Sequence, residues 1–314
     1  MISILMPVRN AAKYLKDTIE SIKRQDYTDW ELILINDHCT DNSPEIMGAA
    51  CQADSRIKTH KNPGEGIIPA LQYGLESAMG TFITRMDADD LMPSGRLQKH
   101  LSAWSHYGEI VTGSVKYFAD GPISNGYTTY QKWLNKNLQS ENPWKNIYRE
   151  CVIASPNWLI HRNDLQKAGN FHGLRYPEDY HLALRWYQAR YKIKLVNEVT
   201  LFWREHPERT SRNHYHYSQE KFFKLKIDQF LAIERPDGPI IVWGKGRKSK
   251  LIEKRLKERS FSFLHMDKDN YQDLRNYRKQ PLLVAVYPSK KERLAMESFL
   301  SSIGRVQGIN YWYV

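Results

Sequence analysis

Three times in the first ninety residues a strand-like apolar run gives way to a helix-like or turn-like segment, and the polar residues collect where the runs end. "ISILMPV" is a short apolar run, and the segment "AAKYLKDTIESIKRQ" after it sets Leu15, Ile19 and Ile22 at i, i+4 and i+7, one face of a helix. "WELILIND" is a second strand, and "SPEIMGAACQA" opens with Ser43 in the N-cap position and Pro44 at the first helical residue. A short strand at "RIKTH", a Gly-rich turn "NPGEG", a helix through "IPALQYGLESA" and the strand "TFITRMD" complete the series. Apolar strands joined by helices predict a parallel sheet covered on both faces, with ligands bound beyond the carboxyl ends of the strands. Asn10, Asp37 and Asp87 stand at those ends.

The last strand runs into "MDADDLMPSGRL", which places Asp87, Asp89 and Asp90 within four positions of a chain whose formal net charge is +11. Carboxylates this close repel one another and are costly at a strand end unless a cation compensates them. Hard oxygen donors favour Mg²⁺ or Mn²⁺, ions that keep positions open for water and substrate phosphates. A solvated acidic turn that caps the helix after Pro93 accounts for the same residues. A DxD match alone does not separate the two.

Its context does. "ILMPVRNAAKYLKDTIESI", "LILINDHCTDNS" and "NPGEGIIPALQYGLESAMGTFITRMDADDLMPSGRLQKH" follow one another in order, and "YPEDYHLALRW" and "LFWREHPERTS" come later. Together they resemble family 2 glycosyltransferases over roughly residues 1 to 215. The resemblance implies the α/β GT-A nucleotide-diphospho-sugar transferase fold, a mostly parallel sheet between helices, and a hexosyltransferase-type enzyme that inverts the anomeric carbon. It implies that Asp37 accepts a base N–H of the nucleotide, with Pro7 and Asn10 beside the pocket. Gly66 and Arg85 join the donor-binding set, Asp87 faces the ribose and sugar, and Asp89 and Asp90 hold Mn²⁺ or Mg²⁺. His206 reaches the metal or diphosphate from the opposite side, Arg204 or Arg209 pairs with phosphate, and Asp179, preceded by Glu178, is the catalytic base. The implied substrates are a nucleoside diphosphate sugar, UDP-linked by preference, and a hydroxyl of a glycan or lipid-linked acceptor in cell-surface polysaccharide or lipopolysaccharide synthesis. The chain departs from the pattern at Asn36-Asp37, where two acids are commoner, and Glu205 stands between Arg204 and His206. Taken singly, Glu178 and Asp179 also fit ordinary helix-start acids, His206 a surface histidine and Asp37 a strand end.

The middle of the chain is rich in aromatics, Tyr127, Tyr130, Trp133, Trp144, Tyr148 and Trp158 among them. Core packing explains most of them, and one or two would suit a sugar-stacking face. "HYHYSQEKFFKLKIDQFLAIERPDG" predicts a helix with Phe223, Ile227, Phe230 and Leu231 on one face and Lys221, Lys224 and Lys226 largely elsewhere. Packing on the sheet domain and lying on a membrane surface both fit it.

After residue 235 the strand–helix pattern restarts through "PIIVWG", "KLIEKRLKERS", "FSFLHMD", "PLLVAVY", "KKERLAMESFLSSIG" and "INYWYV". The expected organisation is a GT-A domain at 1–235 and a small Rossmann-like α/β accessory domain at 236–314. "VWGKGRKSK" carries half a dinucleotide fingerprint: Gly244 and Gly246 fit, Ser249 takes the third place, and Asp267 ends the next strand. The second segment holds 16 Lys and Arg against 8 Asp and Glu, most of the chain's excess. Such a field suits a docking role, including peripheral contact with the inner face of a membrane, or a solvated surface. Nucleic acid is not expected as a partner.

Cys39, Cys51 and Cys151 lack CxxC spacing, so reduced thiols are expected. With neither a signal-like start nor a spanning apolar run, the expected compartment is the cytoplasm. Two other functions compete with glycosyl transfer. A nucleotidyltransferase would need a Gly-rich, basic first loop, which is missing here. A non-catalytic nucleotide-sugar-binding protein would not need Asp179.

Overall fold

The computed structural model describes residues 1–286 and 289–314, and its contacts divide the chain into two compact units. Unit 1 comprises Met1–Glu141, Ile153–Leu174 and Glu178–Arg212. Unit 2 comprises Asn142–Val152, Arg175–Pro177 and Asn213–Val314. The boundary expected at residue 236 falls inside the second.

Unit 1 opens with β1 (Ile2–Val8), α1 (Ala12–Lys23), β2 (Trp30–Asn36), α2 (Ser43–Ala53), β3 (Ile57–Lys61), α3 (Ile67–Ser77) and β4 (Phe82–Arg85). These are the elements read from the apolar periodicity. It continues with α4 (Arg96–Ala103), β5 (Glu109–Phe118), α5 (Asn125–Leu138), β6 (Trp158–His161), α6 (Arg162–Lys167), α7 (Glu178–Gln188) and β7 (Lys192–Arg204). The strand order is β3-β2-β1-β4-β6-β5-β7. All neighbours are parallel except β6, which runs antiparallel to both β4 and β5.

Helices on both faces explain the continuous apolar strands. Ile2, Ile4, Leu5, Met6 and Val8 of β1 are fully buried, as are Leu32 to Ile35 of β2. Each such side chain contributes about 1.5–3 kcal/mol by leaving water. Leu15, Ile19 and Ile22 form the buried stripe of α1 as their spacing requires. Ser43 behaves differently from its expected capping role: it is the first residue of α2, and its Oγ accepts the Ala11 N–H at 2.9 Å, tying α2 to the start of α1. Trp158 packs edge-on against Trp186 inside the unit, while Tyr127, Tyr130 and Trp133 lie partly buried along α5.

A short helix, α8 (Thr210–Asn213), follows β7. Unit 2 then contains α9 (Gln219–Glu234), β8 (Ile240–Trp243), α10 (Arg247–Glu258), β9 (Phe263–Met266), β10 (Leu282–Val284), α11 (Lys290–Ser302) and β11 (Tyr311–Tyr313). Its sheet is wholly parallel in the order β11-β10-β8-β9. This is the small second α/β unit that the restarted pattern implied; the Tyr287 end of the expected "PLLVAVY" strand lies outside the described residues. On α9, Phe223, Ile227 and Phe230 are buried as expected, but so is Lys226, whose Nζ donates to the Arg149 carbonyl at 3.0 Å. Gly244 has φ +142°, and a Cβ there would meet the Ala285 backbone at 3.1 Å, so this glycine permits a close approach of two strand ends. Asp267 pairs with Lys245 Nζ at 3.0 Å.

Candidate active site

The site residues of unit 1 stand where the parallel strands stop. At the end of β2, Asp37 is 3% exposed. Its Oδ1 accepts from Asn62 Nδ2 at 2.6 Å and from the Gly66 N–H at 2.9 Å, and its Oδ2 faces Arg9 Nη1 at 3.4 Å. Gly66 can donate this way because its backbone is at φ 91°, ψ 173°, a region essentially reserved for glycine, immediately before α3 begins. One step over on β1, Pro7 pairs in register with Ile35, and Asn10 at φ 51° accepts the Thr40 N–H at 2.8 Å. Asn10 thus pins the loop that follows Asp37. Asn62 and Arg9 were not singled out from the sequence. The only cue to Asn62 was its place before Pro63-Gly64, a turn context that says nothing of its reach to Asp37.

The acidic cluster after β4 is divided among three different environments. Asp87 Oδ1 accepts from Arg85 Nε at 2.8 Å. Burial raises its pKa and Asp89 adds to this, against the pull of Arg85. Asp89 Oδ2 lies 2.8 Å from His206 Nε2. Asp90 is 1% exposed; its Oδ1 accepts the Arg204 N–H at 2.8 Å, and its Oδ2 is buried with no hydrogen-bond partner. Burial, then repulsion from Asp89 and Asp87, holds its carboxyl well above the usual range.

Residues from β7 and the following turn contact the cluster. The Arg204 guanidinium is largely occupied: Nε donates to the Asp89 carbonyl at 2.7 Å, and the group lies over the rings of Tyr14 and Phe118. Arg209 Nη1 bonds Glu205 at 3.1 Å, beside the Trp203 ring, and the nearby Asp90, Tyr117 and Asp89 raise its pKa. Glu205, which the sequence leaves without a role, therefore orients Arg209. The His206 ring packs against Tyr14 at 4.7 Å. Beneath the cluster, buried Arg96 donates through Nη2 to the Pro156 carbonyl at 2.6 Å; desolvation lowers its pKa to about 9, with Asp90 and Asp87 opposing. Nothing in its sequence context marked it as more than a surface helix residue.

The acidic pair begins α7. Glu178 is 2% exposed, and its Oε1 faces Arg85 Nη1 at 3.2 Å. Asp179 Oδ1 accepts the Tyr180 N–H at 2.7 Å. Burial raises the Asp179 pKa to about 7; the Glu178 charge adds to this and Arg85 works against it. Arg85 thus brings together the acids of β4 and those of α7, which the sequence separates by more than ninety residues. Chemically, the arrangement offers cations beside the acids, a buried carboxyl oxygen of Asp90 without a hydrogen-bond partner, and in Asp179 a carboxyl poised to exchange a proton near neutrality.

Residues 3–169 match the model of glycosyl transferase family 2. The chain belongs to that family. A glycosyltransferase of Haemophilus influenzae, described as uncharacterized, is 43% identical over 121 residues, 38% of this chain and 48% of the relative. The matches span 48% and 62% of the lengths of the first two relatives, less than two thirds of each. The S. aureus TarS fragment 1-349 in complex with UDP-GlcNAc superposes with a TM-score of 0.58 at 14% identity, covering 96% of this chain and 80% of that one. A mannosyltransferase from Pyrobaculum calidifontis, in complex with GDP-Man and Mn²⁺, gives 0.54 at 16% identity, covering 97% and 76%. These likenesses establish the GT-A transferase fold for this family 2 chain.

Proposed function

We propose that the chain is an inverting, metal-dependent glycosyltransferase that moves a sugar from a nucleoside diphosphate donor to a hydroxyl of a glycan or lipid-linked acceptor. A UDP-sugar is the favoured donor, and cell-surface polysaccharide or lipopolysaccharide synthesis the setting. The observation that carries this reading is the pairing of a donor-side acid set with a separate carboxyl, Asp179, whose pKa of about 7 suits a general base. The donors bound in the two superposed transferases, UDP-GlcNAc and GDP-Man, support a nucleoside diphosphate sugar as the substrate class.

Asp37 Oδ2, met at 3.4 Å by Arg9, is the atom left to accept a base N–H, since Oδ1 is taken by Asn62 and Gly66. Pro7 and Asn10 border that pocket, Asp87 faces the ribose and sugar, and Arg209 is the better placed of the two arginines to meet phosphate because Arg204 is spent on Asp89 and two rings.

A divalent ion fits the residues present. Asp90 Oδ2 is buried without a partner, and Asp89 and His206 approach to 2.8 Å, donors of the kinds that Mn²⁺ or Mg²⁺ takes. Among the described residues no three His, Cys, Asp or Glu side chains are grouped closely enough to hold an ion by themselves, so these residues would hold it together with the donor. When bound, the ion would neutralise the departing diphosphate.

In the transfer itself, Asp179 takes the proton of the acceptor hydroxyl as that oxygen bonds to the anomeric carbon. The bond from that carbon to the diphosphate oxygen breaks on the opposite face, so the configuration inverts. The small sheet domain within 236–314 serves as an accessory domain that docks partner, acceptor or the inner membrane face. Among the described residues no helix is long and apolar enough to cross a membrane.

Isothermal titration with UDP, GDP, CMP and dTDP sugars, with and without Mn²⁺, tests the donor site in the wild type and in Asp89→Ala. Mn²⁺-dependent binding of one donor, lost in the variant, is the expected result. Binding that ignores both the metal and Asp89 would remove the metal from the proposal.

A further inference from the structure

Arg85 is the last residue of β4 and is 6% exposed. Its planar guanidinium presents Nε to Asp87 Oδ1 at 2.8 Å and Nη1 to Glu178 Oε1 at 3.2 Å. A rigid fork that meets two carboxylates along different edges fixes their separation as well as their charge, which a flexible ammonium does less well. Glu178 does not act on substrate in the transfer described above, yet it is more deeply buried than the proposed base beside it.

Next to this contact lies a cavity of about 10 Å³, bordered by Arg85, Glu178, Asp179, Ser155 and Trp186 among otherwise apolar walls. Ser155 Oγ and Trp186 Nε1 are both buried without a hydrogen-bond partner. The size and the polar lining suit one water. The base therefore has a polar hollow at its back and a neighbouring acid held by a cation.

We propose that Arg85 is a positioning residue of the acidic pair: by gripping Glu178 it fixes the first turn of α7 against the end of β4 and so sets the place and the charge surroundings of Asp179, the proposed base. This deepens the reading of Asp179 as the base and rests on it. The charged groups acting on Asp179 are Glu178 from its own helix, Arg85 from β4 and Asp87 just beyond β4. Leu71 from α3 and Trp158 from β6 add apolar wall to the cavity. Burial and the Glu178 charge push Asp179 upward while Arg85 opposes them, the balance expected of a shared counter-ion. Removal of the Arg85 guanidinium takes away the positive charge that opposes this rise, so the Asp179 midpoint goes up.

The test needs neither donor nor acceptor. The full chain, labelled with ¹³C at the Asp and Glu carboxyls, is titrated by NMR as wild type, Arg85→Gln, Arg85→Lys and Glu178→Gln, with Asp179→Asn to assign the signal. In the wild type the Asp179 signal should move with a midpoint near 7. Arg85→Gln should raise the Asp179 midpoint by about one unit or more, Arg85→Lys should return it towards the wild-type value, and Glu178→Gln should bring Asp179 down towards the ordinary carboxylate range. An Asp179 midpoint that stays put in both Arg85→Gln and Glu178→Gln overturns the proposal. Should Arg85→Gln lose its native amide spectrum, Arg85→Lys and Glu178→Gln decide it: a Glu178→Gln midpoint equal to wild type is then sufficient to reject it. A failure here leaves donor binding to be judged on its own titration, and a missing donor leaves this one readable.

Discussion

His206 Nε2 and Asp89 Oδ2 lie 2.8 Å apart although 117 residues separate them, and the Tyr14 ring braces the imidazole from α1. The contact joins the strand-end acids to the turn after β7. If the pair holds a divalent ion, the imidazole supplies its nitrogen donor. His206→Ala should therefore weaken Mn²⁺-dependent donor binding by at least about 10-fold, the scale seen when groups supporting a metal are lost. Metal-free nucleotide binding, which the proposed function assigns to Asp37, should change little. Isothermal titration of the wild type and His206→Ala with UDP, with and without Mn²⁺, separates the two effects.

Burial and the Glu178 charge raise the Asp179 pKa, and Arg85, which also bonds Glu178, opposes them. A base with a pKa of about 7 works only when deprotonated, so the rate of transfer should fall tenfold per unit as the pH drops below that midpoint and level off above it. Asp179→Asn should lower kcat by about 10²–10⁴ with donor affinity retained. A pH–rate profile on whichever donor binds, for wild type and variant, checks both statements. A rate that persists in Asp179→Asn would move the base elsewhere.

Gly66 turns its N–H onto Asp37 from a backbone conformation that a side chain strains. Gly66→Ala should cost about 1–3 kcal/mol, either as lost stability or as a weakened Asp37 contact and poorer nucleotide binding. Gly48, inside α2 with no atom within 4 Å of a built Cβ, is the matched control. Gly48→Ala should stabilise by about 0.5–1 kcal/mol because alanine is the better helix former. Thermal melts of the two variants, with and without UDP, distinguish backbone strain from a general intolerance of substitution.

The elements from β1 to β4 were legible because a parallel strand buried on both faces leaves an uninterrupted apolar run, and a surface helix leaves a periodic one. The carboxylates at the strand ends were legible for the same reason: they interrupt that pattern. Arg96 and Ser155 were not, because a buried cation and an orphaned hydroxyl read in sequence like any surface residue. Lys226 was misplaced by helical periodicity alone, since its aliphatic stem is buried while its amine finds a backbone carbonyl. Arg85 entered the donor-binding set through the family resemblance alone; its reach to Glu178 depends on how the chain returns after β6, which local spacing cannot show.

Unit 2 contains a charge cluster of a different kind. Asp228 on α9 has a side chain that is 2% exposed, and it accepts from Arg255 Nη2 at 2.7 Å, Arg259 Nε at 2.7 Å and Arg175 Nη1 at 3.2 Å. Burial alone would raise its pKa, but the hydrogen bonds from Arg259 and Arg255 win and lower it to about 2. A carboxyl whose folded pKa lies below its unfolded value near 3.9 contributes stability that is present in full above that value and is lost as the pH falls towards 2. Asp228→Asn should destabilise the protein by roughly 2–3 kcal/mol at pH 7, because it removes the buried anion that the largely buried Arg255 shares with the more exposed Arg259 and Arg175. The gap between wild type and variant should hold from pH 7 to about 5 and narrow progressively below 4. Denaturant titrations across that range measure it, and a gap that does not change with pH would show that packing, rather than the carboxylate charge, holds α9 to α10.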